Sequence, residues 1–371
     1  MNDFKVILVS PFPPPYGGIA SYSENLRIGL ENNNIKVINH STSKYDHLRI
    51  YNPDKKRNYI RIFNPLNFFF IFMVLLDYIV FFFKIMLKKN LIIHIHTSSF
   101  FGWWRSILFA ILSKILRKKT ILHVHNAIDR FYLNESGEVG RFLIKLSLKI
   151  PDNIVSLSHG IKDLLSQITD KPVIPIYNGI DTLQFKSDKT YIKPYKLLFA
   201  GFVGPHKGVP DLLRAIKETK LDSDEIQLSV MGVGDLKEMK ELVDSLGINN
   251  IVSFTGRVSE EEKTRLFNSH HIFILPSHGE GQPISILEGM ASQMAIISTK
   301  VGSIPEIIRH ENGILVDPGD TKELSNAILQ LIKFEDIEKI GELNRETASK
   351  KFTFDRVVKD NISNYQDVLN Y

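Results

Sequence analysis

Two carboxylates eight positions apart, Glu280 and Glu288, are the side chains best placed to handle a ligand. They bracket Gly281-Gln282-Pro283-Ile284-Ser285-Ile286-Leu287, and the apolar run His271-Ile272-Phe273-Ile274-Leu275, closed by Pro276-Ser277, precedes them. That run reads as a buried strand ending in a turn, and Ile284, Ile286, Leu287 and Met290 then begin a helical pattern. Glu280 falls in the loop and Glu288 about one turn into the helix. Backbone amides at a helix start lack partners, and the dipole favours negative charge, so an anion is welcome there. A carboxylate repels phosphate but accepts hydrogen bonds from sugar hydroxyls. Anion-binding amides beside polyol-binding carboxylates predict a ligand carrying both phosphate and sugar, which is a nucleotide sugar.

Three other stretches hold candidate chemistry. Phe199-Ala200-Gly201-Phe202-Val203-Gly204-Pro205-His206-Lys207-Gly208 offers a strand, a glycine loop and a helix start. Lys207 there can reach phosphate while the loop amides cradle it. Near the N-terminus, Pro11-Phe12-Pro13-Pro14-Pro15-Tyr16-Gly17-Gly18 separates the strand Val6 to Val9 from a helix beginning at Ile19. Gly17 and Gly18 either admit a ligand close to the backbone or make a tight turn, and Gly-x-Gly-x-x-Gly is missing, so this is not a dinucleotide fingerprint. His94-Ile95-His96 and His123-Val124-His125 each put two imidazoles on one strand face, a spacing able to hold zinc. With no carboxylate cluster in company, and with each pair at a strand end where polar side chains emerge, the reading is no metal.

The elements that position these residues alternate along the chain. Residues 66 to 83 are intensely apolar and rich in phenylalanine, broken by Asn67 and Asp77 and closed by Lys84, Lys88 and Lys89. Their length reaches the membrane-spanning threshold. An aspartate near the middle costs about 2.5–3.5 kcal/mol on insertion scales, and the strand Leu91 to His96 follows at once. The run therefore reads as a helix packed on a sheet, with surplus apolar face to touch membrane. Helices near Trp103 to Leu116, Gly140 to Lys149 and His159 to Gln167 alternate with strands at Thr120 to His125, Asn153 to Leu157 and Val173 to Ile176. After the polar linker Lys186 to Lys193, a second series opens at Tyr195 to Ala200. The fold class is α/β, with two Rossmann-like doubly wound domains, 1–185 and 186–352, facing a central cleft.

With 371 residues the chain is long enough for two ordinary domains. Its 43% apolar and 23% charged residues match a core-forming globular protein. The lack of cysteine excludes disulfides and thiolate metal sites. Met1 to Val9 runs straight into a strand without a signal peptide, which predicts a cytoplasmic protein. A net charge of +5 with no aromatic-interleaved basic motif argues against nucleic acid and is compatible with an anionic membrane surface.

Taken together, the motifs resemble the retaining glycosyltransferases of family 4 (group 1), which have the GT-B fold. The likeness rests on Glu280-x7-Glu288 with Gly-Gln-Pro-x-Ser between, on the N-terminal Pro-Pro…Gly-Gly loop, and on Thr120 to Asn126, Lys207-Gly208 and Phe254 to Val258. Lys300 to Glu306 and Asn312 to Val316 match as well. It implies that Glu280 holds hydroxyls of the transferred sugar, Glu288 the ribose, and Lys207 the diphosphate. Gly281, Gln282, Pro283 and Ile284 line the amide-bearing loop, His125 lies beside the sugar, and Gly256 and Arg257 line the base pocket. The family usually has arginine where Phe202 stands, so His206 or another basic residue substitutes, or donor binding is weaker. Asp222-Ser223-Asp224 imitates a metal-binding Asp-x-Asp but reads as a solvated turn. The resemblance further implies a UDP- or GDP-linked donor, no cofactor or metal, and a glycan or lipid-linked acceptor. It also implies a final helix within 353–371 that returns to the N-terminal domain. The surplus apolar face of residues 66 to 83 and the basic residues beside it predict, separately, docking at the inner face of the plasma membrane. Two competing readings are a nucleotide-sugar epimerase on the same fold and a non-catalytic sugar-nucleotide-binding protein.

Overall fold

Apolar runs that recur at helix-sized intervals are satisfied by parallel strands covered on both faces. The computed structural model describes residues 4–13, 18–43, 65–125, 128, 130–185, 189–334 and 337–370, with side chains along the apolar helix from Ile71 onward. Two compact units result: residues 1–157, 162–176 and 358–371 form one, residues 158–161 and 177–357 the other.

The first unit is built on six parallel strands in the order β2–β1–β3–β4–β5–β6. These are β1 (Lys5–Ser10), β2 (Lys36–Ser41), β3 (Leu91–Thr97), β4 (Lys119–Val124), β5 (Asn153–Ser156) and β6 (Val173–Pro175). The intervening helices are α1 (Gly18–Asn32), α2 (Pro65–Met86), α3 (Phe101–Ile115), α4 (Glu138–Ser147) and α5 (His159–Ile168). Every residue of β3 and β5 is buried, the polar His94, His96, Thr97, Asn153 and Ser156 included. Edge strand β2 is the exception: Asn39, His40 and Ser41 give it no apolar pattern, and its pairing with β1 holds it.

The phenylalanine-rich run is α2. It turns Phe81 and Ile85 inward, and the rings of Phe81 and of Phe109 on α3 pack around His40 of β2 at 5.0 and 5.2 Å. Asp77 is buried with Oδ2 3.2 Å from His40 Nε2, so the acid that argues against a membrane span has a partner on the sheet. Among the described residues no helix is long and apolar enough to cross a membrane.

In the second unit the order is β12–β11–β10–β7–β8–β9, again all parallel. Its strands are β7 (Tyr195–Ala200), β8 (Ile226–Met231), β9 (Val252–Gly256), β10 (Ile272–Leu275), β11 (Ala295–Thr299) and β12 (Gly313–Val316). Helices α6 (Val209–Thr219), α7 (Leu236–Leu246), α8 (Glu260–Ser269), α9 (Ile284–Ala291), α10 (Ile304–Ile307), α11 (Thr321–Lys333) and α12 (Ile337–Lys351) cover its faces. The chain enters at β7, winds outward to β9, and returns to β10 beside β7 before winding the other way. Strands β7 and β10 thus form the switch point, where loops leaving adjacent carboxyl ends diverge and open α/β sheets bind ligands. The last helix, α13 (Phe354–Asn370), gives residues 358–370 to the first unit, where Tyr365 and Asn364 bond His94 and Asn153.

Candidate active site

Two glycines lock the loops at the switch point of the second unit. Gly208 has φ of +71°, and a Cβ there would stand 1.9 Å from the Pro276 carbonyl oxygen. Gly302 has φ of +56°, and a Cβ there would stand 2.1 Å from the Glu280 carbonyl oxygen. Only glycine meets both the left-handed backbone and the close approach. Hydrogen bonds complete the assembly: His278 N–H donates to His206 O at 3.0 Å, and Ser303 N–H to Gly281 O at 2.9 Å. The loops after β7, β10 and β11 therefore act as one bonded body.

That body brings Lys207 and Glu280 together, with Nζ 2.6 Å from Oε1 and the glutamate only 9% exposed. Each of these side chains currently satisfies the other. Glu288 points from α9 into a buried position, 8% exposed, and its Oε1 lies 3.0 Å from Lys263 Nζ on α8. Burial holds the Glu288 carboxyl above its ordinary value, with Lys263 pulling it partly back. Burial alone would lower Lys263, but the carboxylates of Glu288 and Glu260 outweigh that and keep it firmly protonated.

Gln282 is buried between these two ion pairs in sequence. Its Oε1 accepts from the Asn178 backbone N–H, and its carbonyl accepts from Asn178 Nδ2 at 2.9 Å. The Gln282 Nε2 group is left buried without an acceptor among the described residues. An unmet buried donor costs about 1–3 kcal/mol, which an acceptor on a ligand would recover. The amides of Gly281, Gln282 and Ile284 likewise donate to no protein acceptor among the described residues. Pro283, buried, supplies the extended residue that starts α9. Two cations, three amide donors, a side-chain amide and two carboxylates thus gather on loops and helix starts beyond the carboxyl ends of this sheet's strands.

The other sequence-derived candidates spread around this centre. Phe202 is 42% exposed with its ring 5.1 Å from that of His206, so an aromatic pair occupies the place expected for arginine. Gly256 closes β9, the edge strand, with open space beside its α-carbon, and Arg257 follows it exposed. Asp222-Ser223-Asp224 is a turn before β8, with Asp224 N–H donating to Asp222 Oδ1 at 2.9 Å, as expected of a solvated turn. Gly18 opens α1 of the first unit and is exposed, while Gly17 lies outside the described residues. Residues 186–188 of the expected linker lie outside them too. No local pattern in the sequence singles out Lys263 and Asn178, since their partners are 25 and 104 positions away.

His125 belongs to the first unit and is part of a four-imidazole array. His94 Nε2 lies 3.3 Å from His123 Nδ1, and His96 Nδ1 lies 2.8 Å from His125 Nε2. The array does not emerge to solvent as strand-end residues should; Tyr22 and Tyr365 close over it, and all four rings are buried. The reason is α1 and α13, which cover this sheet face. Burial pushes His94 and His125 down to about 3 and lowers His96 and His123 well below their ordinary value, so all four stay neutral. Ligand atoms of His94, His96 and His123 lie within 4.8 Å of one another, which makes these three the group best able to accept a cation among the described residues.

Known proteins resemble the chain in sequence and in fold. The family described as Glycosyltransferase Family 4 matches residues 16–184, and that described as Glycosyl transferases group 1 matches residues 181–348. An uncharacterized glycosyltransferase of Methanocaldococcus jannaschii is 28% identical over 367 residues, 95% of each chain. The O-antigen chain mannosyltransferase RfbU of Salmonella typhimurium is 29% identical over 66% of this chain and 68% of its own. Among solved structures, sucrose-phosphate synthase from Thermosynechococcus elongatus superposes with a TM-score of 0.77 at 17% identity, covering 99% of both chains. Anabaena HepE in complex with UDP-glucose gives 0.70 at 17% identity, again over 99% of both. At such identities the structural likeness establishes the fold, which is GT-B.

Proposed function

Because the chain belongs to the group 1 glycosyltransferases of family 4, we propose that it moves a sugar from a nucleotide diphosphate to an acceptor hydroxyl with retention of anomeric configuration. The observation that carries this reading is the meeting of Lys207 and Glu280 beside the unpaired amides of Gly281, Gln282 and Ile284. An incoming diphosphate would take Lys207 from Glu280 and accept from the amides at the start of α9. The carboxylate so released accepts from hydroxyls of the transferred sugar. Glu288, one oxygen facing Lys263, offers an acceptor to the ribose, and Gln282 Nε2 finds its missing acceptor on the donor. In this reading Gly256 and Arg257 meet the base.

In the transfer, the bond from the anomeric carbon to the diphosphate oxygen breaks and a bond to the acceptor oxygen forms on the same face. The acceptor proton passes to a phosphate oxygen of the donor. Charge grows on the departing diphosphate, where Lys207 and the α9 dipole stabilise it in a partly buried site. That is the task a divalent cation performs in other enzymes, so the proposal includes metal-independent turnover. The donor is proposed to be UDP- or GDP-linked and the acceptor a glycan or lipid-linked hydroxyl. Thermal-shift screening of UDP- and GDP-sugars followed by turnover with and without acceptor tests this. Donor conversion without acceptor would favour an epimerase. A thermal shift without turnover would favour a binding protein, the outcome that Phe202 in place of arginine makes worth measuring.

A further inference from the structure

Exposed large apolar side chains concentrate on one helical layer of the first unit. On α2, Phe72, Leu75, Leu76, Ile79, Val80 and Phe83 are each between 38% and 62% exposed. Their spacing by threes and fours makes a single stripe, opposite the buried Phe81 and Ile85. On α3, Trp104, Leu108, Ile111 and Ile115 form a second stripe, 37% to 64% exposed, while Trp103, Ile107, Phe109 and Ala110 face inward. A third stripe, Val139, Phe142, Leu143 and Leu146, runs along α4 at 42% to 74% exposure. The three helices are neighbours: Tyr78 of α2 packs on Phe109 of α3 at 4.6 Å, and Trp103 Nε1–H of α3 donates to Ser147 Oγ of α4 at 3.1 Å. Each helix has already used its inward face on the fold. A surface helix normally turns charged and polar residues outward, and contiguous apolar surface marks a partner.

Charge says which partner. From Pro65 to Lys119 the chain carries eight lysines and arginines and one acid, Asp77, which is buried against His40. Lys88 and Lys89 follow the end of α2, and Arg117, Lys118 and Lys119 follow the end of α3. Because β3 and β4 are parallel and begin directly after these helices, the basic residues gather at one end of the apolar layer. A second copy of the chain would set this excess of positive charge against its own like. A surface apolar beneath and anionic at its boundary suits both features, with long lysine stems reaching the headgroups and Trp104 at the interface. We propose that the α2–α3–α4 layer is a docking surface for an anionic lipid membrane, held by interfacial insertion with no spanning segment.

Flotation of the full chain with vesicles tests this without reference to any catalytic activity. Vesicles of phosphatidylcholine alone are compared with phosphatidylcholine mixed with phosphatidylglycerol, at low and high salt. The protein should float with the anionic vesicles at low salt and be released by high salt. The triple variant Leu75→Ser, Ile79→Ser, Phe83→Ser should lose binding, while Leu183→Ser, 80% exposed in the second unit and outside these three helices, should not. Each basic residue near an anionic surface is worth about fivefold in binding, so Lys88→Glu with Lys89→Glu should weaken it by at least about twenty-five-fold. All substituted residues are surface-exposed or half-buried, so unchanged melting temperatures confirm that the variants fold. Equal flotation with neutral vesicles, or none at low salt, would overturn the proposal. So would a concentration-dependent dimer abolished by the same apolar substitutions, which would assign the layer to a second copy.

Discussion

Replacing Lys263 by methionine removes a charge 3.0 Å from Glu288 and keeps the aliphatic stem. Glu288 is 8% exposed, so water cannot fully take the lysine's place. Breaking a fully buried pair costs about 3–5 kcal/mol. The Lys263 side chain is 22% exposed, so we predict a smaller loss of about 2–3 kcal/mol at neutral pH. The pH dependence identifies the cause. Burial already holds the folded-state pKa of Glu288 above 4.5, and Lys263 is the group that lowers it. The substitution therefore raises it further. A group whose folded pKa is raised contributes stability at pH below its unfolded value and loses it as pH rises through the folded value. Relative to wild type, the deficit should be small near pH 4.5 and should grow with pH to a plateau. Urea unfolding of wild type, Lys263→Met, Glu288→Gln and the double variant across this range measures it. The double variant should regain most of the lost stability, because the uncompensated charge is gone. A deficit that ignores pH, or that persists undiminished in the double variant, would refute the ion-pair argument and leave packing of the lysine stem as the cause.

Further predictions concern the donor. Glu288→Ala should weaken nucleotide-sugar binding about tenfold to a hundredfold, the value of a charged hydrogen bond at about 1.5–3 kcal/mol, as read by titration calorimetry. Unchanged affinity in the folded variant would count against a ribose-binding role. Glu280→Ala should lose turnover more than nucleotide-diphosphate affinity, since the product nucleotide lacks the sugar; equal losses of both would sink this division of labour. Gly302→Ala should cost about 1–3 kcal/mol through the left-handed backbone and the crowded Glu280 carbonyl. It should also shrink the donor-induced thermal shift, and a melting temperature equal to wild type would contradict it.

The alternation of strands and helices is legible because parallel strands covered on both faces are mostly apolar, as the fully buried Ile272–Leu275 of β10 shows. Strand β2 escaped because an edge position tolerates Asn39 and Ser41, and backbone pairing to β1 is invisible in composition. Around the site, Glu280, Lys207 and Gln282 were readable from glycine and proline punctuation of the loops. Lys263 and Asn178 were not, because long-range side-chain partners leave no local pattern. The expectation that the histidines emerge at strand ends fails because the covering residues, Tyr22 and Tyr365, come from elements far away in sequence. The apolar surplus of α2 was legible from its length of phenylalanines, whereas the matching stripes on α3 and α4 required knowing which faces the sheet had claimed.

The central claim is transfer of a sugar from a nucleotide diphosphate at the Lys207–Glu280 loop. Its most direct test is an NMR time course with a donor selected by thermal shift, an acceptor, and wild type or Lys207→Ala protein in the presence of EDTA. A new glycosidic linkage should form that keeps the donor's anomeric configuration, appears only with acceptor, tolerates the chelator, and falls by about a hundredfold or more without the lysine, in the range of a lost oxyanion-stabilising group. An inverted linkage, donor consumption without acceptor, or full activity in Lys207→Ala would contradict it.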